Sequence, residues 1–130
     1  MTKILIVDDD ERQRTLYSAI LRKEGYEVLT AADAGKAFEL AVAEQPSLIL
    51  LDVMMPAMDG GQALGHLSGS ASTREIPVIF LTSLVTEEEV AAERGTIGGR
   101  GYISKSTPMP TFVARVKEAL SRGARKAAGA

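Results

Sequence analysis

Five short apolar runs, Lys3–Val7, Glu27–Ala31, Leu48–Leu51, Pro77–Leu81 and Tyr102–Ser104, alternate along this chain with segments of helical period. That alternation constrains the fold more than any other feature. Strands joined by helical crossovers pair in parallel through right-handed connections, with helices on both faces of the sheet. The helical segments carry their own punctuation. Arg12–Glu24 places Leu16, Ala19, Ile20 and Leu21 on one side and stops at Gly25, and Gly35–Gln45 halts before Pro46. Gly60–Leu67 is a weaker helix former, because Gly61 and Gly65 each cost about 1 kcal/mol relative to alanine. Thr86 and Glu89 have the spacing of a capping box, and Phe112–Leu120 repeats Val113, Val116 and Leu120 at helical spacing.

The 130 residues suit one domain, expected over 1–122, with 123–130 as a flexible tail or linker stub. No cysteine is present, which excludes disulfides, thiolate metal sites and cysteine catalysis. A net charge of −2 offers no basic stripe for nucleic acid. The apolar runs have only strand length and no signal-peptide pattern opens the chain, so neither export nor a membrane span is expected and the cytoplasm is the default.

In open parallel sheets, ligands bind outside the carboxyl ends of the strands. Here those ends carry Asp8 and Asp9, Asp52, Thr82 and Ser83, and Lys105. Three carboxylates, a hydroxyl and an ammonium therefore converge on one edge. Two carboxylates about 4 Å apart repel by roughly 4 kcal/mol at the effective dielectric of a protein surface, so the cluster needs a compensating cation or a helix N-terminus. Taken alone, each residue also has a plainer reading. Asp8–Asp10 fit helix capping as well as metal binding, with Asp10 the expected cap; Asp52 fits a turn, Thr82 a strand, and Lys105 a solvated charge.

The joint pattern decides between them. The segments "IVDDD", "LLDVMMPAMDG", "IPVIFLTS" and "GYISK", in this order and spacing, resemble a response regulator receiver domain, and the likeness covers essentially the whole chain. The resemblance implies a five-stranded parallel α/β sheet of flavodoxin-like order 2-1-3-4-5. It implies that Asp52 accepts a phosphoryl group from a histidine kinase or histidine phosphotransfer protein. It implies Mg²⁺ held directly by Asp9 and Asp52, through water by Asp8, and by the backbone carbonyl of Met54. Lys105 and Thr82 would contact the phosphoryl oxygens, and Thr82 and Tyr102 would form the switch. The switching surface would include Thr86–Glu93, Tyr102, Ser104, Phe112 and Arg115, and would meet a downstream protein or a covalently linked output domain. An ionic, metal-assisted site suits phosphoryl transfer, which depends chiefly on positioning and charge neutralisation.

Two departures stand out. Receiver domains usually place a proline in a cis bond after the lysine, where this chain has Ser106. A non-proline cis bond costs roughly 3–4 kcal/mol, so a trans bond is expected, with Thr107 capping the last helix and Lys105 held less firmly; Ser106→Pro would partly reverse the defect. Arg100 and Gly101 also precede the switch aromatic, where a DNA-binding branch of the family commonly has acidic residues. Two other functions compete. A haloacid dehalogenase-type phosphatase would use Asp8 of Asp8-Asp9-Asp10 as nucleophile, but Glu11 and Arg12 stand where a Thr or Val is expected. A receiver-like interaction module without phosphorylation is the other, and the complete acidic set argues against it.

Overall fold

The computed structural model describes residues 2–52, 65, 67–83, 96, 97 and 100–129. Strands β1 (Lys3–Val7), β2 (Glu27–Ala31) and β3 (Leu48–Leu51) form over the apolar runs that mark them. Strand β4 spans Val78–Thr82, starting one residue later than its run. Pro77 has no N–H to give the ladder, although its carbonyl accepts from the Ile49 N–H at 2.9 Å. Two further strands follow, β5 (Thr96–Ile97) and β6 (Arg100–Ser104), so the last parallel strand begins earlier than Tyr102.

The sheet order is β2-β1-β3-β4-β6-β5. Five strands pair in parallel in the expected order, and β5 adds a short antiparallel hairpin onto β6. That hairpin has no counterpart among the five runs, because two residues are too few to make a periodic signal. The central strands are flanked on both sides, and Ile4, Leu5, Leu48, Ile49, Leu50 and Leu51 are fully buried. Continuous apolar runs without alternation are the mark of strands covered on both faces.

Helices α1 (Glu11–Lys23), α2 (Ala34–Glu44) and α3 (Met109–Gly129) supply those covers. Tyr17 and Leu21 of α1 pack with Phe112 and Val116 of α3 against one face, around Ile4, Ile6, Leu48 and Leu50. Ala34, Ala37 and Ala41 of α2 close on the other face over Leu5, Val7, Ile49 and Leu51. The sheet is therefore doubly wound.

Helix α1 starts at Asp10, whose carboxylate accepts from the Arg12 N–H at 2.9 Å, as the capping expectation requires. It ends where Gly25 takes φ of 93°, with the Gly25 N–H bonded to the Arg22 carbonyl and the Tyr26 N–H to that of Leu21. Those two bonds form a Schellman motif, and its left-handed residue favours glycine.

Helix α3 corrects one expectation, the residue that caps it. Its first helical residue is Met109, and the Pro108 carbonyl accepts from the Phe112 N–H at 2.9 Å, so Thr107 does not cap it. Pro110 lacks the N–H that a cap at Thr107 would bind at the third position of the helix. At the far end the helix runs through Gly129. Alanine, arginine and lysine are strong helix formers there, opposed within the helix mainly by the roughly 1 kcal/mol cost of Gly123. The expected capping box at Thr86 and most of the Gly60–Leu67 segment lie outside the described residues.

Candidate functional site

Each key residue at the sheet edge is held by one more rung of the parallel ladder. The Asp8 N–H donates to the Ala31 carbonyl at 3.1 Å, the Asp52 N–H to Val7 at 3.0 Å, and the Lys105 N–H to Thr82 at 2.9 Å. Three side chains far apart in sequence thus leave the same edge from backbones already fixed by neighbouring strands. Local geometry here follows from sheet register, with β1 pairing β2 on one side and β3 on the other.

The carboxylates converge. One oxygen from each of Asp8, Asp9 and Asp52 lies within 4.8 Å of the other two. Asp8 and Asp52 are buried, while Asp9 is exposed. Such a site needs positive charge, and Lys105 supplies it: its Nζ donates to Asp8 Oδ2 at 2.7 Å and to Asp52 Oδ2 at 3.2 Å. Asp8 is bound further, its Oδ1 accepting from the Asp10 N–H at 3.0 Å and its carbonyl from Arg14 Nη1 at 2.7 Å.

Burial alone would lower the pKa of the Lys105 ammonium, but its hydrogen bonds and charge pairing with Asp8 and Asp52 outweigh that, and the net shift is upward. Tyr17 lies within the same field. Burial pushes its phenol up, the Lys105 charge pulls it down, and Asp8 pushes it up again.

Thr82 is fully buried and pairs in register with Ser104; two residues back, Phe80 pairs with Tyr102, their rings 5.1 Å apart. Hydroxyls therefore sit beside the acidic edge, with an aromatic pair one step farther along the same strands.

The Lys105–Ser106 peptide is trans, as expected without proline. The expected consequence for the lysine is not seen, since Lys105 reaches both carboxylates. The reason is local: Ser104 Oγ accepts from the Ser106 N–H at 3.1 Å and shares a 2.7 Å hydrogen bond with Ser106 Oγ. A second correction concerns the switching surface. Ser104 and Phe112 are only 1% and 2% exposed, so neither is available at the surface; Phe112 instead packs its ring 5.0 Å from that of Tyr17. Met54 and Thr86–Glu93 lie outside the described residues.

Sequence reasoning missed Arg14, Tyr17 and the Ser104–Ser106 pair. Arg14 acts through a backbone carbonyl, and Tyr17 approaches from the helix that packs beneath the site. Neither leaves a sequence motif. The serine pair did have a signal, in the proline missing after Lys105.

An all-oxygen, anionic donor set suits a hard divalent cation such as Mg²⁺, which takes one or two carboxylates and completes its shell with water or phosphate. Beside a lysine, such a set can also neutralise a transferring phosphoryl group. Nothing in this geometry favours Asp8 as the nucleophile of the phosphatase alternative.

Comparison with known proteins agrees with this geometry. The chain is 35% identical over 122 residues to protein PilH of Pseudomonas aeruginosa, covering 93% of this chain and 99% of that one. It is 34% identical over 120 residues to the phosphate regulon transcriptional regulatory protein PhoB of Escherichia coli, covering 92% of this chain and 52% of that protein. Among solved structures, a CheY-like response regulator receiver domain protein from Methanospirillum hungatei superposes with a TM-score of 0.79 at 28% identity, covering 97% of this chain and 98% of that one. The response regulator receiver domain family matches residues 4–117, and the chain belongs to that family.

Proposed function

We propose that this receiver domain is a phosphoacceptor of a two-component phosphorelay, with Asp52 as the accepting residue. A carboxylate oxygen of Asp52 attacks the phosphorus of a phosphohistidine on a histidine kinase or histidine phosphotransfer protein. The donor P–N bond breaks, imidazole leaves, and a P–O bond to Asp52 forms an acyl phosphate. The observation that carries this reading is the convergence of Asp8, Asp9 and Asp52 with Lys105 bridging two of them.

Mg²⁺, bound directly by Asp9 and Asp52, through water by Asp8, and by the Met54 carbonyl, would neutralise charge on the transferring oxygens. Lys105 is the chain's own cation for the same task, tethered to the strand edge so that little reorganisation is needed when charge develops. The Thr82 hydroxyl binds a phosphoryl oxygen, and Tyr102 follows toward the space it leaves. The resulting two-state surface contacts a downstream protein or a covalently linked output domain. We place this activity in the cytoplasm, without direct binding to nucleic acid or membrane. No described helix is long and apolar enough to cross a bilayer. Phosphotransfer and hydrolysis both act on the chain's own Asp52, so it is a signalling protein and not an enzyme for external substrates.

Intact mass after treatment with acetyl phosphate tests the proposal. One phosphoryl group should be gained by the wild type with Mg²⁺, and none by Asp52→Asn or without the metal. Labelling of Asp52→Asn that disappears in Asp8→Asn would transfer the case to the phosphatase reading.

A further inference from the structure

We infer that Ser104 and Ser106 are positioning residues for Lys105, forming a hydroxyl-locked turn that takes over the task of the proline usual in the family. The inference deepens the proposed phosphoacceptor reading and rests on it for its kinetic consequence.

Lys105 is the middle residue of the Ser104–Lys105–Ser106 turn. Its own N–H is bonded to Thr82 at 2.9 Å, and the Thr107 N–H closes onto the Ser104 carbonyl at 3.0 Å. Between those two bonds the backbone would be free to pivot, and the side chain of Ser104 removes that freedom. Its Oγ accepts from the Ser106 N–H, the two-residues-on pattern of a serine turn, and shares a second hydrogen bond with the Ser106 hydroxyl.

Burial makes the arrangement effective. Ser104 is 1% exposed and lies in register beside the fully buried Thr82, so the locking hydroxyl is fixed by the sheet. Ser106 is exposed and contributes its N–H and hydroxyl from outside. The lysine leaves the turn between an inner anchor and an outer latch, and its ammonium arrives at Asp8 and Asp52 with a side chain only 15% exposed.

The lock reverses the expectation for Ser106→Pro. Proline fixes φ but has no N–H to give Ser104, so the exchange removes the donor on which this turn depends. Ser106→Pro is therefore expected to slow phosphorylation. Ser106→Ala keeps the N–H and loses only the hydroxyl pair, so its effect should be smaller. Ser104→Thr keeps an Oγ and should retain most of the wild-type behaviour.

The test uses the full chain and two readouts. The first is the rate of phosphorylation by acetyl phosphate with saturating Mg²⁺, followed by intact mass across donor concentrations. Ser104→Ala loses both hydrogen bonds of the Ser104 hydroxyl and should lower the limiting rate at least about fivefold, with the donor half-saturation unchanged. The Ser104→Ala/Ser106→Ala double variant should lose no more than Ser104→Ala alone, because the two side chains act through one bond. Equal rates in Ser104→Ala and wild type, or faster labelling in Ser106→Pro, would overturn the inference.

The second readout needs no phosphorylation: the nitrogen NMR signal of the Lys105 ammonium. It should be a single slowly exchanging resonance in the wild type and Ser104→Thr, and averaged toward free lysine in Ser104→Ala. An unchanged resonance in Ser104→Ala would overturn the positioning role whatever the kinetics. A wild type with an ordered Lys105 signal and no labelling at Asp52 would overturn the phosphoacceptor reading alone.

Discussion

The acidic corner and the β6 edge are built from strands of the same sheet, yet their neighbours confine them very differently. Strands β1 and β3 are flanked on both sides, and Leu48–Leu51 are all at 0% exposure. β6 has β4 on one side and only the two-residue β5 on the other, and its Gly101 and Tyr102 are half-buried. Chemistry that needs fixed carboxylates hangs from interior strands. The residue proposed to report on that chemistry, Tyr102, sits on β6, half-buried with its ring 5.1 Å from that of Phe80.

The largest effect that could break this contrast is at the centre. Leu50→Ala should cost about 2–5 kcal/mol in urea unfolding, since a fully buried leucine leaves a cavity. Tyr102→Ala should cost clearly less, and a cost equal to that of Leu50→Ala would show that the β6 edge is as rigid as the interior.

Next comes the ion-pair bridge. Lys105→Met leaves the buried Asp8 and Asp52 without their cation, and should destabilise by less than the roughly 3–5 kcal/mol of a fully buried pair, because part of the lysine is solvated. Mg²⁺ should then raise the unfolding midpoint of Lys105→Met more than that of the wild type. The lysine pKa is raised in the folded protein, so its contribution is fully present below the ordinary value of 10.5 and is lost as pH rises through the higher folded value. The stability gap between wild type and Lys105→Met should accordingly be constant through neutral pH and close only in strong alkali.

Smaller effects sharpen the picture at each region's border. Asp10→Ala removes the cap of α1 and should cost about 1 kcal/mol without changing the slope of the denaturation curve. Gly101 has a tighter reason to be glycine, since a Cβ there would lie 3.2 Å from Ile79 Cγ1. Gly101→Ala should cost at most about 1–3 kcal/mol, and the cost should shrink in an Ile79→Ala background, where the clashing atom is gone.

These residues also show what could be read before the structure. β1 and β3 were legible because their near-continuous apolar burial leaves little to blur them, and β2, at the sheet edge, because Val28 and Ala31 are buried between the exposed Glu27 and Thr30. β6 was legible only in part, since Arg100 and Gly101 do not look like a strand and gain their place by pairing, Gly101 with Ile79 of β4 and Arg100 with Ile97 of β5. The converging acids and Lys105 followed from strand ends and the rule for parallel sheets. Arg14 and Tyr17 did not, because their roles come from helix packing against the site. The hold on Lys105 is not legible in the sequence, for a physical reason. A missing proline implies lost constraint, whereas a buried Ser104 hydroxyl supplies the constraint through a hydrogen bond that composition does not reveal.

The central claim is that Asp52, and no other carboxylate of the cluster, receives the phosphoryl group. Borohydride reduces an aspartyl phosphate to homoserine, so peptide mapping after phosphorylation with Mg²⁺ and reduction identifies the acceptor directly. The account predicts homoserine at position 52 alone, with Asp8 and Asp9 recovered intact. Homoserine at position 8 or 9, or a phosphorylated protein with position 52 unreduced, would contradict it.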